Sequence, residues 1–256
     1  MLNTIFSLKK NSYQFTDQER AVLLMLIDFF KYEIPKGNGS YIAMLDFSNI
    51  DFIWCPSMAL NDMGVFGSWS PLSENLVCLR PDVTSKTFFN LIKDESRFSK
   101  KEREAIHTIK DNVKITGLPQ FKNLGSDLSI FQFILYLTEN KGAVLATVFH
   151  ELYHKWQYES VKLFYLMNSF LVKLVGYELS TKSGLTIEGD VRIYVDNEEF
   201  HEVIEEFNRM LYNYLYNKNV LATNPENENA VNEITALQNR NFRMFQFIEK
   251  LFRSLN

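Results

Sequence analysis

A chain of 256 residues that is 46% hydrophobic and 23% charged, with 22 Phe and 12 Tyr, can bury a full core, which argues against long disorder. Ten Gly and six Pro exclude collagen-like and low-complexity architectures. A formal net charge of -4 lacks the basic excess of a polyanion binder, so no nucleic-acid partner is expected.

Thr16-Asp17-Gln18-Glu19 has the form of a capping box and predicts a helix over residues 17–31. After the breakers Pro35, Gly37 and Gly39, residues 41–45 and 51–55 are short and rich in aromatic or β-branched side chains, as strands are. A hairpin follows, with strands over 65–69 and 75–80, a turn at Ser70-Pro71-Leu72-Ser73, and Pro81 as its stop. From about residue 85 the pattern turns helical. Ser99-Lys100-Lys101-Glu102 offers a second capping box before 103–110, and a loop with Gly117, Pro119 and Gly125 leads to a helix from about Leu128. Gly142 punctuates the entry to the next helix. Beyond Ser160 the expected helices are 161–179, 198–216 behind an Asp196 cap, and a tail helix over 230–255, with 223–229 as a solvated connector.

No repeat or linker divides the chain, so one α+β domain is expected over 1–256: a strand-rich part (1–84), a helical insertion (85–141), and C-terminal helices (142–256). Residues 1–10 place Lys9 and Lys10 after a short apolar run, the reverse of a secretory signal, and read as a retained terminus. The apolar stretch 163–177 is interrupted by Asn168, Ser169 and Lys173, which favours a buried helix over a membrane span. Cys55 and Cys78 lie in apolar surroundings without Cys-x-x-Cys spacing and read as reduced core thiols of a cytoplasmic protein.

Residues 150–154 are His150-Glu151-Leu152-Tyr153-His154, the H-E-x-x-H pattern, and no Gly or Pro interrupts 143–158. Helical positions i and i+4 share a face, so the two imidazoles can reach one ion. Glu151, about 100° around the helix, stands beside that ion and not on it, where it can take a proton from water. Random placement gives the pattern in about five of a thousand chains of this composition, so it is read as a site and not as coincidence.

With this motif and the upstream hairpin ending Asn75-Leu76-Val77-Cys78-Leu79-Arg80, the chain resembles the zincin metallopeptidases. The resemblance implies a zincin-like α+β domain whose small mixed sheet and edge hairpin pack on the H-E-x-x-H helix, with residues 75–80 as the edge strand along a substrate cleft. Lys155-Trp156-Gln157-Tyr158-Glu159-Ser160 lacks the Gly and third His of the longer metzincin pattern. The resemblance therefore points to a gluzincin-like site, in which a later Glu completes the shell of a Zn²⁺ ion. Glu188, in Thr186-Ile187-Glu188-Gly189-Asp190-Val191, is preferred, with Asp190 placed to hold a ligating ring; Glu178 is the alternative. The implied activity is hydrolysis of a peptide or protein substrate, with Glu151 as general base and Tyr177, Tyr194 or His201 as oxyanion donor. A second reading is a non-catalytic interaction or structural protein, for example of a phage or mobile element, on a retained zincin scaffold.

Overall fold

Thr16 opens the first helix by satisfying two amides reciprocally. Its hydroxyl accepts from Glu19 N at 3.2 Å, and the Glu19 carboxylate accepts from Thr16 N at 2.8 Å, so the expected capping box is present. The computed structural model describes residues 13–33, 49–54, 67–69, 75–79, 100, 128–160, 162–175 and 198–255. Expectations for strand 41–45, the hairpin turn, the second capping box and the loop 113–126 lie outside the described residues.

In chain order the elements are β1 (Tyr13–Gln14), α1 (Asp17–Phe30), β2 (Asp51–Trp54), β3 (Gly67–Trp69), β4 (Leu76–Leu79), α2 (Leu128–Thr138), α3 (Ala143–Ser160), α4 (Lys162–Val175), α5 (Glu198–Thr223), α6 (Glu228–Arg240) and α7 (Phe242–Leu255). Helices dominate, and the sheet is small and mixed, an α+β arrangement. Its order is β1-β2-β4-β3: β1 runs antiparallel to β2, β2 parallel to β4, and β3 antiparallel to β4. The expected hairpin is therefore present, but the expected edge is corrected. Residues 76–79 form an inner strand flanked on both sides, and among the described strands β3 and β1 are the two edges. All four residues of β4 are buried, as suits an unbroken apolar run paired along both sides.

The helix α2 is apolar almost all round and is buried accordingly, with Phe131, Phe133, Ile134, Tyr136 and Leu137 at the centre of the core. It packs against α1, α3 and α5. Buried side chains of α1 fall at Val22, Leu23, Leu26, Ile27 and Phe30, one stripe at helical spacing. Much of the Phe content meets here: Phe30 contacts Phe200 and Phe207 edge to face, and Phe149 of α3 contacts Phe200 at 5.2 Å between centroids. Polar groups tie the ends of the helices. Asn208 Nδ2 donates to Leu135 O at 3.1 Å and to Thr138 Oγ1 at 2.8 Å, which ties α5 to the last turn of α2.

A left-handed turn joins α2 to α3. Asn140, Lys141 and Gly142 have φ of 52°, 58° and 69°. The turn is held from α5, where His201 Nδ1 donates to Lys141 O at 2.7 Å and Glu198 pairs with Lys141 at 3.6 Å. This reversal, the expected Gly142 punctuation, sets the direction in which α3 enters the core.

Three helical expectations are corrected. The helix expected over 198–216 runs on to Thr223. The tail is two helices and not one, because Asn241 leaves helical geometry (φ -150°, ψ 91°) and its side chain accepts from Met244 N at 3.1 Å, capping α7. The described part of the stretch 163–177 is not buried as expected. In α4 Tyr165 and Asn168 are buried, whereas Leu166, Met167, Phe170, Leu174 and Val175 are exposed, an apolar face turned outward. Among the described residues no helix is long and apolar enough to cross a membrane. Cys78 is buried in β4, and Cys55 lies outside the described residues.

Candidate metal centre

The H-E-x-x-H residues fall within the eighteen-residue helix α3, as expected. This helix packs on β3 and β4 on one side and on α2 and α4 on others, so twelve of its residues are buried, polar ones included. Buried polar side chains require partners, and His154 has one at each ring nitrogen. Its Nε2 lies 3.0 Å from His150 Nε2, and its Nδ1 lies 3.0 Å from Gln157 Oε1. The two rings stand 4.8 Å apart between centroids and are inclined at 74°, so their Nε2 atoms converge on one point.

That geometry suits a shared cation. Two nitrogens each about 2.05 Å from a tetrahedral zinc ion would be separated by about 3.3 Å, close to the spacing observed. Neutral imidazole is also the donor type that zinc takes. The pair thus fits two corners of a zinc shell. Among the described residues no group of three or more His, Cys, Asp or Glu side chains is arranged to hold a metal ion. Glu188, its alternative Glu178, and Asp190, expected to hold a ligating ring, lie outside the described residues, as do Tyr177 and Tyr194.

Glu151 is buried, with 6% of its surface exposed, and does not join the convergence point. Its carboxylate lies under the edge strand. A Cβ placed on Gly67 would fall 3.1 Å from both Glu151 Cγ and Oε1, and 2.6 Å from Thr147 Cγ2. Thr147 cannot swing aside without cost, because its hydroxyl donates to Ala143 O at 2.7 Å. A glycine at 67 is therefore what lets β3 lie against α3 at the level of the acid. Gly67→Ala is expected to cost about 1–3 kcal/mol of stability through overpacking and to displace Glu151, measurable as a lowered midpoint in urea denaturation. An unchanged midpoint would show that β3 does not approach α3 so closely.

Three residues that sequence reasoning did not single out complete the surroundings. Trp69 of β3, Tyr158 of α3 and Tyr165 of α4 contact one another with centroids 5.4 to 6.0 Å apart, and Tyr165 meets His154 edge to face at 6.3 Å. They form an aromatic wall on the His154 side of the pair, a low-dielectric backing that strengthens electrostatic interactions at the convergence point. Gln157 and Tyr158 were open to detection, since they stand three and four residues beyond His154 on the same helical face. Trp69 and Tyr165 carried no comparable signal.

His201, one of the oxyanion candidates, is placed elsewhere. Its contact with Lys141 O puts it at the start of α3, nine residues before His150 and so roughly 13 Å along the helix axis. It belongs to the turn that directs α3 and not to the imidazole pair. Lys155, also buried, is neutralised by Glu159 at 2.5 Å on the next turn.

Comparison with known proteins adds no relative: no family model, curated protein or solved structure matches the chain.

Proposed function

We propose that this protein is a zincin-like, gluzincin-type metallopeptidase that hydrolyses peptide bonds. The observation that carries the reading is the 3.0 Å approach of His150 Nε2 to His154 Nε2, one turn apart on α3, with the carboxyl group of Glu151 buried beside them. Glu188 is the proposed third ligand, with Glu178 the alternative. A bound zinc ion supplies Lewis acidity toward a carbonyl oxygen and toward water. Glu151 takes one proton from the attacking water as the new C–O bond forms, then delivers it to the amine as the C–N bond breaks, so the carboxylate is regenerated. The aromatic wall of Trp69, Tyr158 and Tyr165 limits water on the far side of His154. The strand β3, beside Glu151 and at an edge of the sheet among the described strands, would be the place for an extended peptide to pair, the role first expected of residues 75–80.

Equilibrium zinc binding to the purified chain tests this. One zinc per chain is expected in the wild type, with affinity reduced at least a hundredfold in His150→Ala and in His154→Ala. Wild-type affinity in both variants would remove the metal reading.

A second reading, a non-catalytic interaction protein on the same scaffold, draws support from the outward apolar face of α4. Digestion of a broad peptide library separates the two: cleavage that needs Glu151 excludes the second.

A further inference from the structure

We infer that Gln157 is a positioning residue that fixes the tautomer of His154, committing the lone pair of His154 Nε2 to the point where the two imidazoles converge. The inference deepens the metal reading above and rests on it only for its consequence in affinity.

A neutral imidazole has one N–H and one lone pair, and which nitrogen keeps the proton follows from what the other one meets. The Gln157 amide oxygen, 3.0 Å from His154 Nδ1, is an acceptor and requires the proton at that nitrogen. His154 Nε2 is then left with its lone pair. The contact of 3.0 Å to His150 Nε2 is completed only if His150 carries its own proton on Nε2 and donates it. The two rings are thus unequal. His154 is already in the form a cation requires, while His150 must move its proton from Nε2 to Nδ1, a tautomeric change with no net gain or loss of protons.

Burial gives the contact its strength. Gln157 and His154 are only 5% and 6% exposed, so water competes poorly for either group. Their spacing of three residues on α3 lets one helix supply both partners without help from the rest of the fold. A side chain without an acceptor at 157 would leave the His154 N–H buried without this partner and would release the ring to the other tautomer.

Long-range ¹H–¹⁵N correlation spectra of the ring nitrogens test the inference in metal-free protein at about pH 8, above the ordinary imidazole range. The chain has only four histidines, and His150→Ala and His154→Ala assign the two signals. In the wild type His154 is expected as the Nδ1–H tautomer and His150 as the Nε2–H tautomer. Gln157→Leu should lose the His154 preference and weaken zinc binding by about 10–100-fold. Gln157→Glu, which keeps an oxygen acceptor at the same reach, should restore both. Wild-type His154 protonated on Nε2, or Gln157→Leu with tautomer or zinc affinity unchanged, would overturn the inference. If Gln157→Leu does not fold, the wild-type spectrum and that of Gln157→Glu decide it. If the wild type takes up no zinc, the metal reading fails by itself, and the tautomers still decide the role of Gln157.

Discussion

Exchange of Glu151 for Gln is expected to lower peptide hydrolysis by about 10²–10⁴-fold, the range that a positioned general base contributes, while zinc content stays at the wild-type level. The two side chains have nearly the same volume, and Glu151 occupies a buried slot between α3 and Gly67, so the amide fills the same space. What it lacks is the ability to accept a proton from water. In the proposed site ligation would fall to the rings of His150 and His154, whose contact does not pass through residue 151. Metal content and cleavage of a peptide library should be measured on one preparation. Undiminished cleavage would remove Glu151 from the chemistry, and loss of zinc together with cleavage would make it a ligand or a structural support.

The largest effect on stability is expected from Gly142→Ala, at about 3 kcal/mol. Part of this is the cost of about 1–2 kcal/mol for a Cβ in left-handed backbone, since Gly142 has φ of 69°. The rest is overpacking, about 1–3 kcal/mol in a filled core. The new Cβ would fall 2.2 Å from Ile204 Cγ2 and 2.8 Å from Ile204 Cβ. Ile204 is completely buried in α5 and β-branched, so it has little freedom to withdraw. Urea unfolding gives the magnitude, and a double-mutant cycle with Ile204→Ala gives its division: removing the clash should recover the packing part and leave the backbone part. A variant as stable as the wild type would mean that neither the left-handed turn nor the close approach to α5 is present. Because the same turn directs α3 into the core, Gly142→Ala should also loosen the imidazole pair, seen as weaker zinc binding than in Gly142→Ala/Ile204→Ala.

Local rules explain why some of this architecture is readable without a structure. The capping box at Thr16 and Glu19 involves residues three apart and forms in the structure as the pattern implies. His150 and His154 share a face because helical geometry alone puts them there, and Gly142 stands at a left-handed position that few other residues tolerate. The break at Asn241 is equally local, but Asn occurs in helices, turns and caps alike. Only the realised contact with Met244 N distinguishes a cap from a mid-helix residue.

Other features depend on partners distant in the chain. Residues 76–79 look the same in sequence whether one neighbour or two pair with them; the parallel pairing with 51–54 makes them an inner strand and leaves β3 at an edge among the described strands. The apolar side chains of α4 suit a buried helix, yet most of those described turn outward, while Tyr165 packs inward against His154 and Tyr158 of α3. His201 had the chemistry of an oxyanion donor, and tertiary packing assigned it instead to the carbonyl of Lys141.

By itself, then, the sequence determined the elements whose causes lie within one or two helical turns: the capping box at Thr16, the amphipathic stripes, and a pair of imidazoles with an acid between them. Tertiary structure alone decided that Glu151 would be buried beneath Gly67, that Trp69 and Tyr165 would stand behind His154, and that among the described strands β3 and not β4 would lie at an edge. The division follows from range. Backbone geometry relates residues a few positions apart by fixed angles and rises, whereas contacts between residues tens of positions apart exist only after the whole core has selected one packing.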